Sequence, residues 1–302
     1  MTEHFLSTMN RLSRRQVVSY LTWCAMAPLG TLPSIVQSAS PRRIISIGGA
    51  LTEIAFMLEA ESELVGVDTT SIYPAKAKDV PSVGYARQLS AEGVLSLAPT
   101  HLLATEEAGP PAVLKQIEAA GIPITVLSAR HQYQGLRERI QGVGRLLERR
   151  ELAQVLLQNL DVKWLQVQAQ VATGLDRPTA RLVRVLFILA HSPSQVMVAG
   201  HLTAAHAMLT YAGVQNVGQG FKGYKPLTPE GLIAAQPDCI LLTEQGLQAV
   251  GGLQAVLKIP GLSHTPAGRM QAVVAMDALR LLGFGPRMPE AVLELHQLFS
   301  QR

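Results

Sequence analysis

Cysteine is scarce in this chain, with only Cys24 and Cys239 among 302 residues. Cys24 falls within an N-terminal segment that has the pattern of a cleaved signal, so the mature chain has no second cysteine for an internal disulfide. Cys239 lies in an apolar run and is predicted to be a core residue. A chain of this length can be stabilised by its hydrophobic core without disulfides.

Charge and the common catalytic motifs are also lacking. Only 16% of the residues are charged, 48% are apolar and the net charge is +4, which indicates a well-packed globular protein. No basic patch is interleaved with aromatic residues, so nucleic acid is excluded as an expected partner. The GxSxG, GxxxxGK[ST] and HExxH motifs are absent, and no carboxylate is convincingly paired with a base. We therefore expect a protein that is not an enzyme.

The first forty residues have the features of an export signal. Arg14 and Arg15 precede a mostly apolar run from 17 to 32, and the small residues 38–40 follow. The paired arginines resemble a twin-arginine signal, which predicts export to the periplasm. The apolar run is short for a membrane-spanning helix, which needs about 20 residues. An uncleaved anchor is the alternative interpretation.

The rest of the chain alternates short apolar runs with helical patterns, which predicts parallel strands joined by crossover helices. We predict an α/β fold of two Rossmann-like lobes with parallel sheets, joined by a single long helix, with a ligand cleft between the lobes. The halves are expected to be alike in architecture, without a repeat at the sequence level. The predicted segments are an export signal at 1–40, an N-terminal lobe at 41–147, the connecting helix at 148–176 and a C-terminal lobe at 177–302.

Loops at the carboxyl ends of parallel strands line the ligand crevice of open α/β sheets. Tyr73 lies on such a loop, and Pro74 after it favours an extended backbone at the tyrosine. A phenolate is a hard oxygen donor that suits Fe(III), and tyrosine is an axial ligand of haem iron in some proteins. From the spacing alone, the favoured interpretation of Tyr73 is a loop residue that packs its ring on a neighbour, and Tyr85 competes with it as the cleft phenol.

The histidines of the chain add few candidate ligands to these tyrosines. His191 follows an apolar strand, where its imidazole would either face the cleft or cap a turn. His201 and His206 are five residues apart, a spacing that does not bring two side chains together on one helix face. We therefore do not expect them to form a zinc pair.

Several segments resemble the periplasmic haem-binding proteins of bacterial ABC importers, which belong to the binding proteins whose lobes are joined by a backbone helix. The Tyr-Pro element and the GYARQLSAEG run are the specific parts of this resemblance. The matching segments are ISIGGALTEI (45–54), VGVDTTSIYP (65–74), VGYARQLSAEG (83–93), EEAGPP (106–111), GYKPL (223–227) and LGFGPR (282–287).

The resemblance implies that Tyr73 ligates the iron of ferric haem, the transported ligand. It also implies that Glu53 and Glu230 dock, one from each lobe, onto an ABC permease dimer with its ATPase. His191 is the expected ligand of a second, stacked haem, and an outer-membrane haem receptor would act upstream. Contacts to haem are expected from a further set of cleft residues: Tyr85, Arg87, Tyr224 and Lys225.

Three alternatives remain open at this point. The same fold is used by binders of cobalamin and ferric siderophores, which would not need Tyr73. A haem-modifying enzyme would turn over the bound haem. A binder of free zinc or manganese would need several converging ligands, whereas the sequence offers only scattered ones.

Overall fold

The computed structural model of the chain describes residues 41–175, 181–193 and 195–300. The predicted export signal, Cys24 within it and the predicted boundary at 176–177 lie outside the described residues. In the part of the chain that is described, no helix is both long enough and apolar enough to cross a membrane.

A four-stranded parallel sheet in the order β2-β1-β3-β4 forms the first lobe. Successive residues of β1 point to opposite faces, so Ile44 packs under α1 and α4 while Ile45 and Ile47 pack on the side of α2 and α3. The elements of this lobe are β1 (Ile44–Ile47), α1 (Gly49–Met57), β2 (Leu64–Val67), α2 (Ala91–Leu95), β3 (His101–Thr105), α3 (Pro111–Ala119), β4 (Ile124–Leu127) and α4 (Tyr133–Leu146).

The long helix α5 (Arg150–Leu175) follows and connects the lobes. Its 26 residues correspond to a length of about 39 Å. It packs on α4 of the first lobe and on the final helix of the chain. The predicted connecting helix is therefore present.

The second lobe contains a mixed sheet in the order β10-β9-β5-β6-β8, with the short β7 paired to β5. The prediction of a fully parallel sheet is wrong here, because β6 is antiparallel to both β5 and β8. The elements are β5 (Arg184–Ser192), β6 (Gln195–Ala199), α6 (Ala204–Tyr211), β7 (Gln215–Asn216), β8 (Tyr224–Pro226), α7 (Pro229–Ala235), β9 (Cys239–Thr243), α8 (Glu244–Ala249), α9 (Leu253–Leu257), α10 (Pro266–Arg269), β10 (Val273–Met276), α11 (Ala278–Leu282) and α12 (Met288–Ser300).

An aromatic cluster attaches the long helix to both lobes. The buried Trp164 of α5 stacks on Tyr133 of α4, with ring centroids 4.8 Å apart and planes at 12°. Its other neighbour is Tyr211 of α6, edge-on at 5.0 Å. The Tyr211 hydroxyl also accepts a bond from the Tyr133 backbone N–H at 3.4 Å. Trp164 therefore fixes the spacing of the lobes on this side.

We expect Trp164→Ala to lower the free energy of unfolding by about 3–5 kcal/mol, because it removes a buried aromatic side chain that contacts both lobes. Leu165→Ala on the same helix is the matched control. Its side chain is 66% exposed, so the change should be within about 0.5 kcal/mol. Urea unfolding measures both variants, and equal effects would contradict a bridging role for Trp164.

Candidate functional site

The strand-end loops of the two lobes enclose a cavity of about 430 Å³. The first lobe contributes Gly48 after β1, Thr70 after β2 and His131 after β4, while the second contributes Gln245 and Leu279. Each of these residues follows the carboxyl end of a strand or belongs to a helix that begins there. The predicted cleft is therefore present where ligands bind in open α/β sheets.

A buried carboxylate fixes the loop that carries Tyr73. Asp68, directly after β2, accepts bonds from the Gly48 N–H at 2.9 Å, the Thr70 hydroxyl at 2.6 Å and the Ser71 hydroxyl at 2.8 Å. The Thr70 hydroxyl in turn accepts from the Gly49 N–H at 3.0 Å. A Cβ atom at Gly49 would lie 2.4 Å from the Thr70 carbonyl oxygen, so the close approach of loop and helix requires glycine.

Tyr73 follows Ile72, which lines this cavity. The side chain is 43% exposed, and its hydroxyl has no hydrogen-bond partner among the described residues. One face of the ring carries the guanidinium of Arg287, whose central carbon is 3.6 Å from the ring centroid. Arg287 precedes α12, so the ring is in contact with a segment from the far end of the chain. Tyr73 of the first lobe is thus in contact with the second lobe.

Glu53 lies behind Arg287 and is only 1% exposed. Its carboxylate accepts two parallel bonds from Arg287, at 3.0 Å from Nε and 3.1 Å from an Nη atom. Burial raises the pKa of the Glu53 carboxyl above its usual value, although Arg287 opposes the shift. The expectation that Glu53 docks onto a permease does not fit this position, because docking requires a surface carboxylate.

A second polar group occupies the cleft near the ends of β3 and β8. Arg87 and Glu107 of the first lobe form an ion pair of 2.9 Å. Burial acts against the charge of Arg87, but the Glu107 carboxylate outweighs it, and the pKa of the guanidinium is raised. Tyr224 of the second lobe is half-buried and lies near Glu107. Its burial and the Glu107 carboxylate both raise the pKa of its phenol. The exposed Tyr85 precedes Arg87 by two residues. Arg87 is therefore engaged within its own lobe.

Lys225 follows Tyr224 in β8 and is exposed. Its ammonium group lies 4.8 Å from the centroid of the Phe221 ring, a cation–π contact. Tyr224 thus lies near Glu107, a residue of the cavity lining, and Lys225 follows it in β8.

Two cleft residues were not predicted from the sequence. The His131 ring lies 5.3 Å from Phe284, and burial lowers the pKa of the imidazole, which favours its neutral form. Arg139 is 2% exposed and donates to the carbonyls of Ser128 at 2.8 Å and Phe284 at 2.7 Å. Burial lowers the Arg139 pKa to about 10, so it remains charged at neutral pH and links the two lobes.

The other predicted histidines lie in the second lobe. His191 is exposed near the end of β5, where the strand turns into β6. That turn lies at the same sheet edge as Gln245 of the cavity, because β5 and β9 are parallel. His201 and His206 do come together, with Nδ1 and Nε2 3.2 Å apart, because His201 precedes the helix α6. Among the described residues no cluster of three or more His, Cys, Asp or Glu side chains could hold a metal ion.

The arrangement of two lobes, a bridging helix and an interlobe cavity matches the sequence comparisons. The family model for periplasmic binding proteins matches residues 44–279. The chain belongs to the periplasmic binding protein family.

Curated members of this family resemble the chain at moderate identity. An uncharacterised ABC transporter substrate-binding lipoprotein of Bacillus subtilis, YvrC, is 27% identical over 259 residues, which are 84% of this chain and 79% of that protein. The vitamin B12-binding protein of Vibrio campbellii is 26% identical over 242 residues, covering 77% of this chain and 84% of the relative.

Solved structures of periplasmic binding proteins are more similar. The periplasmic haem-binding protein BhuT, in complex with two haems, is 48% identical with a TM-score of 0.81 and covers 86% of this chain and 98% of its own. RhuT from Roseiflexus sp. RS-1, a periplasmic haem-binding protein in apo form, is 37% identical with a TM-score of 0.83. The match covers 87% of this chain and 99% of RhuT. A periplasmic haem-binding protein from Pseudomonas aeruginosa is 36% identical with a TM-score of 0.80. The match covers 87% of this chain and 94% of that protein.

The two lobes of this periplasmic binding protein contain a short sequence repeat, contrary to our expectation. LSAEGVLSLAPTHLLAT (89–105) and LTPEGLIAAQPDCILLT (227–243) share six of 17 positions. In each copy a hydroxyl residue caps a short helix by accepting a bond from the glycine N–H three residues on. Each copy then has a residue with positive φ, Ala98 at 44° and Gln236 at 40°, before the next strand.

The repeat makes Glu92 the counterpart of Glu230. Both lie in the first turn of their helices and both are exposed. Leu89, just before α2, donates its N–H to the carbonyl of Gly109, beyond the carboxyl end of β3. Leu227 makes the corresponding bond to Val196 at the start of the antiparallel β6. The two carboxylates therefore belong to the sheet edges that face the cleft.

Proposed function

We propose that this protein captures ferric haem in the periplasm and delivers it to an ABC importer, with Tyr73 as the iron ligand. The observation that carries the proposal is the half-exposed Tyr73 phenol, which has no hydrogen-bond partner among the described residues and whose ring contacts Arg287 of the second lobe. Three solved haem-binding proteins of 36–48% identity support haem as the cargo.

The chemistry of the cleft suits a flat, largely apolar cargo with acidic edges. A phenolate binds Fe(III) well, while the half-buried Ile72 and Leu282 of the cavity lining offer apolar surface. Lys225 is an exposed cation that can pair with a propionate, whereas Arg87 would first have to leave Glu107 or share it. Binding without chemical conversion is the proposed role, so haem incubated with the protein and a reductant should remain intact.

A second haem is part of the proposal, because BhuT is known in complex with two haems. His191 is the proposed ligand, since it projects from the cleft-facing edge of the second sheet and is exposed. His131 is the competing imidazole: it lines the cavity, and its burial favours the neutral, ligating form.

Cobalamin is the second candidate cargo, favoured by the similarity to a vitamin B12-binding protein. The two cargoes make different demands on the site, because a tyrosine oxygen is needed for ferric haem and has no such role for cobalamin. Parallel titrations with ferric haem and cyanocobalamin distinguish them.

We further propose that Glu92 and Glu230 dock the protein onto the permease, Glu92 taking the place expected for Glu53. Both carboxylates are exposed at equivalent positions of the repeat, whereas Glu53 is buried against Arg287. One negative charge on each lobe gives a two-point contact with basic groups of a partner.

Tyr73→Phe tests the iron ligand by removing one oxygen atom. We expect the visible band of a tyrosinate–iron complex to disappear and the affinity for haem to fall by about 100-fold. Tyr85→Phe, at the similarly exposed competing tyrosine, should leave the band unchanged. A wild-type spectrum in Tyr73→Phe would remove the basis for this site, and tight binding of cyanocobalamin alone would favour the other cargo.

Haem stoichiometry tests the second ligand. In a titration followed by absorbance, wild-type protein should bind two haems, and His191→Ala should bind one while keeping the tyrosinate band. His131→Ala should still bind two. The reverse pattern would assign the second ligand to His131, and one haem in all three proteins would rule out a second site.

Charge reversal tests docking. Glu92→Lys and Glu230→Lys should each weaken stimulation of the cognate permease–ATPase in proteoliposomes by about tenfold, because like charges then meet at the contact. Haem affinity should stay at the wild-type value. Glu118→Lys, on the exposed side of α3, is the control for added charge. Full stimulation by the Glu92→Lys protein would contradict its role.

A further inference from the structure

We propose that Glu53, acting through Arg287, positions the phenol of Tyr73 for binding iron. This inference rests on the proposed function and adds two positioning residues to it. The three side chains form a continuous series: Glu53 binds Arg287 through two hydrogen bonds, and the Arg287 guanidinium lies over the Tyr73 ring.

The first argument is the environment of Glu53. A buried ion pair gains little stability over an apolar pair of the same size, because both charges lose their hydration. Burial already works against the Glu53 charge in this structure. Stability alone is therefore a poor reason for an acid at this position, whereas holding an arginine in one orientation requires a carboxylate.

The second argument is the geometry of Arg287. Its guanidinium is planar, so two of its nitrogens can bind both carboxylate oxygens while its face remains free to stack on an aromatic ring. The observed contacts use both properties at once, at 3.0 and 3.1 Å to Glu53 and 3.6 Å to the Tyr73 centroid. A lysine at this position would keep the charge but could not form both contacts.

The third argument is the mobility that Tyr73 would otherwise have. Asp68 and its hydrogen bonds fix the loop only as far as Ser71. Beyond that residue, the Tyr73 ring is half exposed and its hydroxyl has no partner among the described residues. Arg287 is the group that holds one ring face, and it brings a positive charge close to the oxygen that would carry negative charge on iron.

The test compares Arg287→Lys and Glu53→Gln with wild type, using the full mature chain and ferric haem. Wild-type protein is measured first, because absence of a tyrosinate band there would overturn the proposed function and not this inference. In both variants we expect the tyrosinate charge-transfer band to shift or weaken at full loading and the Kd for haem to rise about tenfold.

Arg280→Lys is the matched control. Arg280 lies in the neighbouring helix α11 and pairs with Glu294 at 2.5 Å, away from Tyr73. The tyrosinate band and the Kd for haem of the Arg280→Lys protein should equal those of wild type. Wild-type band and Kd in both Arg287→Lys and Glu53→Gln would overturn the proposal. If both variants fail to fold, as measured by circular dichroism of the haem-free proteins, the Glu53–Arg287 ion pair serves stability. That result would also overturn the proposal.

Discussion

The ion pair between Glu53 and Arg287 is the constraint on which the arrangement of the cleft depends. It joins residues 234 positions apart, one in the first helix of the first lobe and one just before the last helix of the chain. Two buried or half-buried charges are held in a single bidentate geometry, and that geometry determines where the guanidinium plane can lie. The Tyr73 ring is in contact with that plane, so the half-exposed phenol proposed as the iron ligand lies against an arginine that a buried carboxylate holds.

Much of the fold follows from local patterns in the sequence. The parallel sheet of the first lobe was predicted, because its strands are short apolar runs separated by helical patterns. The connecting helix was predicted at 148–176 and lies at Arg150–Leu175, a segment without proline. The mixed second sheet was not predicted, because β6 and β8 are short and partly exposed, and an apolar run does not indicate whether its neighbour is parallel or antiparallel. Tertiary pairing decides that point.

The site was less accessible to sequence reasoning, for physical reasons that differ between residues. Tyr73 was identified as a candidate because proline after it indicates an extended loop, and the resemblance raised its weight. The burial of Glu53 could not be seen, since its partner is distant in the chain. Glu92 could have been found from the repeat at 89–105 and 227–243, whose helices of five and seven residues give only a weak periodic signal. His201 and His206 meet because one of them lies outside the helix that the spacing argument assumed.

The connections between the lobes limit how the cleft can change. Trp164 contacts both lobes on the side of the long helix, while Arg139 binds carbonyl oxygens of both at the cavity. With Arg287 on Glu53, this gives three buried links at separate points, and a wide hinge opening would have to break all of them. Each link can tolerate a small change in distance. Small relative movements of the lobes would change the distance between Arg287 of the second lobe and the Tyr73 ring of the first. A partner that binds both lobes, as proposed for Glu92 and Glu230, could therefore act on Tyr73, the proposed iron ligand, without unfolding the cleft.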